Sequence, residues 1–160
     1  MVTRWLSFPP SQEGKVKIEI RDKPFDPFAT LVQFQNDLAG LRGRYGATVN
    51  FIGTMRDHNE GDRVYSMTVE HYPGMTERHL QRILEEVQIN RELLEILVVH
   101  RVGELNPNDP IVLVAVWSAH RAAAFEACRF IVEALKSHAP FWKKEALADR
   151  HRWVEKNTAG

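Results

Sequence analysis

Apolar and polar residues alternate in "VKIEI", Val16 to Ile20, a period of two that predicts a half-buried strand. The period then lengthens. In "DPFATLVQFQNDL" the residues Phe28, Leu31, Val32 and Leu38 recur at helical spacing, with Asp26 placed as N-cap and Pro27 at the first helical position. "GATVNFIGTM" (46–55) reads as a strand, "RDHNEGDR" (56–63) as a polar loop and "VYSMTVEHY" (64–72) as a second strand, so a β-ribbon with a charged tip is expected. Pro73-Gly74 marks a turn. From Thr76 onward Leu80, Ile83, Leu84 and Val87 fall on one face of an amphipathic helix. "ILVVHRV" (96–102) and "IVLVAVW" (111–117) are continuous apolar runs separated by the turn-rich "NPNDP", and such runs belong to central strands covered on both faces. A last long helix is predicted from near Ser118, with Phe125, Cys128, Val132 and Leu135 on one stripe, and it must stop before Pro140. The order βα, ββα, ββα and a tail predicts the α+β class. A flexible leader over 1–15, a single domain over 16–155 and a short tail over 156–160 are expected.

Composition narrows the classes. A chain of 160 residues that is 44% hydrophobic has enough apolar material for one domain with a core of its own. Twenty-one basic residues balance 21 acidic ones, so no global charge draws the chain to nucleic acid or an anionic membrane, and any positive site must be local. The single cysteine, Cys128, excludes an internal disulfide and suits a reducing cytosol; its place on an apolar stripe favours a packed thiol over a nucleophile. No run has signal-peptide character or the length of a membrane span, so a cytoplasmic location is expected. Neither a metal nor a cofactor is called for: the histidines form no H-E-x-x-H, and P-loop and G-x-G-x-x-G patterns are absent.

Three segments carry candidate chemistry. In "SAHRAAAFEA", Ser118 can cap a helix whose first turn holds His120 and Arg121, which puts free backbone N–H groups beside two potential cations. A capped helix with solvated side chains meets the same spacing, although cations in a first turn oppose the helix dipole, a cost easier to understand if an anion binds. In "GTMRDHNEGDR", a strand delivers Arg56 and His58 to a mobile tip, where a guanidinium can clamp a phosphate or carboxylate. Asp57, Glu60 and Asp62 can equally neutralise the arginines there. In "LKSHAPFWKKE", Lys136 lies in the last helical turn, where the dipole alone stabilises it, and Lys143 follows in an extended segment that a reversal at "SHAP" can bring back towards Lys136. If the two approach, each cation lowers the other's pKa and the aromatic wall lowers both by desolvation, giving an amine able to act as base or nucleophile. Solvated lysines beside a packed Trp satisfy the spacing too.

Taken in order, "FIGTMRDHN", "VEHYPGMT", "HRVGEL", "SAHRAAAFEA" and "LKSHAPFWKKE" resemble the large catalytic subunit of molybdopterin synthase, from about Gly46 to Trp153. Five motifs in register make the resemblance specific. It implies an α/β hammerhead fold and a sulfur transfer that installs the two dithiolene sulfurs of molybdopterin on precursor Z, the cyclic pyranopterin monophosphate. It also implies a small ubiquitin-like partner whose C-terminal Gly-Gly carries the sulfur as a thiocarboxylate, and a dimer of large subunits at the centre of a heterotetramer. This chain ends Thr158-Ala159-Gly160, which suits the acceptor and not the carrier. By match to the motifs, Arg56, His120 and Arg121 would hold the substrate, the backbone around Thr54 and Met55 would line the pocket, Lys136 would be the main catalytic residue, and Lys143 would assist by charge with Lys144 and Glu145 nearby. Both reactants are anions, so a local positive pocket in a neutral protein is the expected arrangement. Thr54 stands where the family pattern has lysine, so any phosphate contact from that amine is missing.

Two rival classes make different predictions. A single-stranded RNA module that stacks bases on "HAPFWKK" would show salt-sensitive affinity and no turnover. A docking subunit without chemistry would keep partner binding after loss of Lys136, with no reaction to lose.

Overall fold

A computed structural model of the chain describes residues 15–155. The expected leader, apart from Lys15, and the tail 156–160 lie outside the described residues. Strands β1 (Lys15–Arg21), β2 (Ala47–Thr54), β6 (Leu93–Arg101) and β8 (Pro110–Ser118) form one sheet in the order β1-β6-β8-β2. As the continuous apolar runs predict, β6 and β8 are central, paired antiparallel with Val98 opposite Val114. Alternate residues along them serve two different layers. Ile96, Val98, Val114 and Val116 pack against Leu84 and Val87 of α2 (Met75–Arg91) and against Ala127, Cys128 and Ile131 of α3 (Arg121–Ser137). Leu97, Val99, Leu113, Ala115 and Trp117 face the other way, towards Leu31 and Phe34 of α1 (Pro27–Asn36). Asp26 caps α1 as predicted, accepting hydrogen bonds from the Phe28 and Ala29 N–H groups at 2.9 and 3.1 Å.

A second sheet, antiparallel throughout, has the order β10-β9-β5-β7, with β5 (Ser66–His71), β7 (Gly103–Leu105), β9 (Phe141–Ala146) and β10 (His151–Trp153). Gly103, at φ +86°, turns the chain from β6 of the first sheet directly into β7 of the second, a backbone conformation that side chains rarely adopt. Met55, Val64, Met67, Val69, Val102 and Leu105 form the small core beneath this sheet.

Three sequence expectations are corrected. The β-ribbon does not form, because β2 pairs with β8 while β5 pairs with β7 and β9, in separate sheets. The charged loop between them instead closes its own hairpin, β3 (His58–Asn59) with β4 (Asp62–Arg63), through Glu60 and Gly61, both at positive φ. Second, Ser118 ends β8 and the N-cap of α3 is His120, so the helix begins at Arg121. Third, Phe125 is 63% exposed, as are Phe28 at 68% and Val32 at 59%. The buried stripe of α3 is Ala124, Ala127, Cys128, Ile131 and Ala134, whose small members let the helix lie close on the sheet while Phe125 is turned about 100° away from Ala124. The segment after Pro140 is extended as expected, and it forms β9, an inner strand between β5 and β10.

Candidate active site

Between the two sheets, under the C-terminal end of α3, lies a cavity of about 470 Å³. The fold brings its polar lining from distant parts of the sequence: Thr54 and Arg56 from the end of β2, Asn59 from the hairpin, Lys136 from α3, and Lys143 and Glu145 from β9. The register of β2 on β8 shifts between Gly53 and Thr54, which releases β2 from its partner at the cavity rim. Gly53 is required there by close approach, since a Cβ would stand 2.8 Å from Cγ1 of Val112.

Lys136 sits in the last turn of α3, as its position predicts. Strand alternation on β9 sends Phe141, Lys143 and Glu145 inward and Trp142 and Lys144 outward. The Lys143 amine is held below the ordinary lysine range, first by burial and then by the Lys136 cation, while Glu145 opposes the shift. The expected approach of the two lysines is therefore realised. Glu145 is buried and its carboxylate is fully engaged: Oε1 accepts from Asn59 Nδ2 at 2.9 Å, and Oε2 accepts from Arg152 Nη2 at 2.8 Å and Nε at 3.2 Å. Arg152 also donates to Asp62 Oδ2 at 2.9 Å and to the Asn59 carbonyl at 3.2 Å. The loop tip is thus tethered, contrary to the mobile tip expected, and its acidic residues are taken by Arg150, Arg152 and His58. Arg56 lines the cavity, and no ion pair holds it among the described residues.

Of the site residues expected from sequence, Thr54, Met55, Arg56, Lys136, Lys143 and Glu145 line this cavity. Lys144 does not; its Nζ lies 5.5 Å over the Trp153 ring on the outer face of the sheet. His120 and Arg121 do not either. They stand at the opposite end of α3, where fifteen residues of helix separate Arg121 from Lys136 by about 22 Å. Cys128 is packed, and burial raises its thiol to about 11, as its apolar stripe predicts. Phe141 is turned inward onto His100, so of the two aromatics in "HAPFWKK" Trp142 alone is exposed, which makes a poor stacking platform for bases.

Sequence reasoning passed over His100, Asn59 and Arg152. His100 sits in an apolar run where a histidine reads as core, and Arg152 lies beyond the motifs, so only a three-dimensional pairing reveals either one. Among the described residues no helix is long and apolar enough to cross a membrane.

The sequence pattern of the MoaE protein family matches residues 20–138. The molybdopterin synthase catalytic subunit of Ralstonia nicotianae is 49% identical over 138 residues, covering 86% of this chain and 76% of that one. That of Escherichia coli is 53% identical over 114 residues, 71% of this chain and 76% of the relative. Among solved structures, the MoaE protein of Burkholderia ambifaria superposes with a TM-score of 0.73 at 39% identity, covering 91% of this chain and 93% of that one. Molybdopterin synthase from Staphylococcus aureus gives a TM-score of 0.73 at 30% identity over 85% of this chain and 95% of its own. With its two sheets, its lysine-lined cavity and a match over most of its length, the chain belongs to the MoaE protein family.

Proposed function

We propose that the chain is the catalytic subunit of a molybdopterin synthase, which transfers sulfur from the C-terminal thiocarboxylate of a small ubiquitin-like subunit to precursor Z. The observation that carries this reading is the convergence of Arg56, Lys136 and Lys143 in one cavity of a protein with no net charge. A phosphate-bearing pterin and a thiocarboxylate are both anions, and a partly enclosed cluster of cations attracts them more strongly than the same charges in water. Arg56 presents a planar fork to a phosphate or carboxylate. Lys136 acts at the thiocarboxylate terminus. Lys143, with its amine readied by burial, exchanges a proton with the reacting groups. In each transfer the sulfur bonds to a pterin side-chain carbon, which gives up a bond to oxygen, and the bond from sulfur to the acyl carbon breaks; water takes its place there, and the carrier leaves as a carboxylate. Glu145 orients Arg152 and Asn59 and so fixes the hairpin that forms one wall.

His120 and Arg121 serve the substrate in this reading from a second copy of the chain. Strand β2 is the outer strand of its sheet, and Phe51 on it both lines the cavity and is 36% exposed, so a copy docked along β2 borders the site. The assembly is then a dimer flanked by two carrier subunits, in the cytoplasm, where the free thiol of Cys128 is stable.

The test supplies purified chain with thiocarboxylated carrier and precursor Z and follows dithiolene pterin formation. Wild type is expected to form product, and Lys136→Ala to lose at least about a hundredfold in rate, the scale of a lost acid–base or charge-stabilising group, while still binding the carrier. A folded wild type that binds the carrier yet yields no product would establish the docking subunit instead.

A further inference from the structure

His100 occupies the penultimate position of β6 and lines the cavity although its side chain is only 4% exposed. Its ring lies flat on Phe141, with centroids 3.9 Å apart and planes 9° from parallel. Nδ1 stands 2.8 Å from the carbonyl oxygen of Arg101. A carbonyl only accepts, so Nδ1 carries the proton and Nε2 carries the lone pair. Burial, together with Lys143 on β9 and His71 on β5, disfavours the imidazolium, so this tautomer is the form present at neutral pH. Nε2 has no hydrogen-bond partner among the described residues, and it is not one of their fully enclosed unpartnered atoms, so its lone pair is open to the cavity.

The rest of the lining gives that lone pair its meaning. Arg56, Lys136 and Lys143 are donors, and Asn59 Nδ2 is spent on Glu145. Both Glu145 oxygens are taken, and of the other side-chain acceptors Thr54 and His58 are at the exposed mouth while the Asn59 amide oxygen belongs to the half-buried hairpin, apart from the buried His100. A ligand bearing only anionic oxygens has no use for an acceptor in the depth of the cavity. A pterin does, because it carries ring N–H and amino groups besides its phosphate.

We propose that His100 is a further substrate-binding residue: its Nε2 accepts a hydrogen bond from an N–H or O–H group of the pyranopterin, while the cations hold the phosphate. The inference rests on the function proposed above. It assigns the deep wall, His100 on Phe141, to the heterocycle and the lysine and arginine side to the charged groups.

The experiment uses the full chain bound to a carrier with an ordinary carboxylate terminus, so that precursor Z binds without turnover. In wild type labelled with 15N-histidine, the unprotonated nitrogen of His100 is expected to shift on addition of precursor Z and to stay put with inorganic phosphate. His100→Phe keeps the ring stack and removes the acceptor, and should weaken precursor Z binding by about tenfold, the scale of one buried hydrogen bond, with carrier affinity unchanged. His100→Gln places an amide oxygen near the Nε2 position and should recover most of that loss, which a merely structural role would not produce. An unmoved His100 resonance at saturating precursor Z, in a protein that turns over normally with thiocarboxylated carrier, would overturn the inference and leave the function standing. Failure of precursor Z to bind wild type at all would overturn both.

Discussion

His100 stays neutral in the cavity wall because burial penalises its charged form, which lowers its pKa from the usual 6.5 to about 4. The unfolded chain takes up a proton at this residue as pH falls through 6.5, and the folded chain does not until about 4. Over that window the unfolded state binds more protons, so stability falls as pH falls, by about 3 kcal/mol for this one group. Urea unfolding of wild type and His100→Phe at pH 7.5 and pH 4 checks the sign: the stability difference between them should move by about that amount in the variant's favour on acidification, and no movement would refute the buried neutral histidine. Lys143 is shifted by a different balance, since a second cation contributes as well as burial. Replacing Lys136 with Met removes that cation, so the Lys143 pKa should rise, whereas Glu145→Gln removes the opposing charge and should lower it further. Lysine Cε NMR titration reads both changes, and a Lys143 resonance indifferent to Lys136 would break the pairing on which the site is built.

At the scale of elements, the cavity depends on how a hairpin, a strand and a short terminal strand are held together. Arg152 of β10 reaches Glu145 of β9 and Asp62 of the hairpin at once, with only 21% of its side chain exposed. Arg152→Ala leaves the buried Glu145 carboxylate short of its cation, which should lower Tm by several degrees and raise KM for precursor Z as Asn59 loosens. A Tm within about a degree of wild type would show that the tether is incidental. Nothing in the sequence announces this contact, because its partners are separated by up to 90 positions. What the sequence does announce is local: the Asp26 cap, the amphipathic α2 and the continuous apolar runs of β6 and β8 all follow from periodicity and turn chemistry. The β2–β5 ribbon failed for the complementary reason. Both segments have strand character, and choosing a partner for each is a tertiary decision, made here by eight residues of β2 that find their match on β8. Phe125 misled in the same way, since an apolar residue one step off the stripe of small residues points to solvent.

At the scale of the whole molecule, the two candidate anion clusters lie at opposite ends of a 17-residue helix, too far apart for one chain to close them on one substrate. The five motifs were legible in the sequence, but whether one copy or two builds the site was not, because spacing along a chain does not reveal a symmetry axis. In the proposed arrangement a two-fold copy docks along β2, the outer strand of its sheet, and His120 and Arg121 of one protomer serve the cavity of the other. Mixed dimers decide it. Lys136→Ala and Arg121→Ala are each expected to be nearly inactive alone. If the site is shared, a mixed dimer concentrates both lesions in one cavity and leaves the other intact, so random mixing should recover about a quarter of wild-type activity. If each chain builds its own site, both cavities of every mixed dimer stay damaged and nothing is recovered. Co-purification of differently tagged chains shows that mixing occurred, so absence of recovery in a mixed preparation would overturn the shared site.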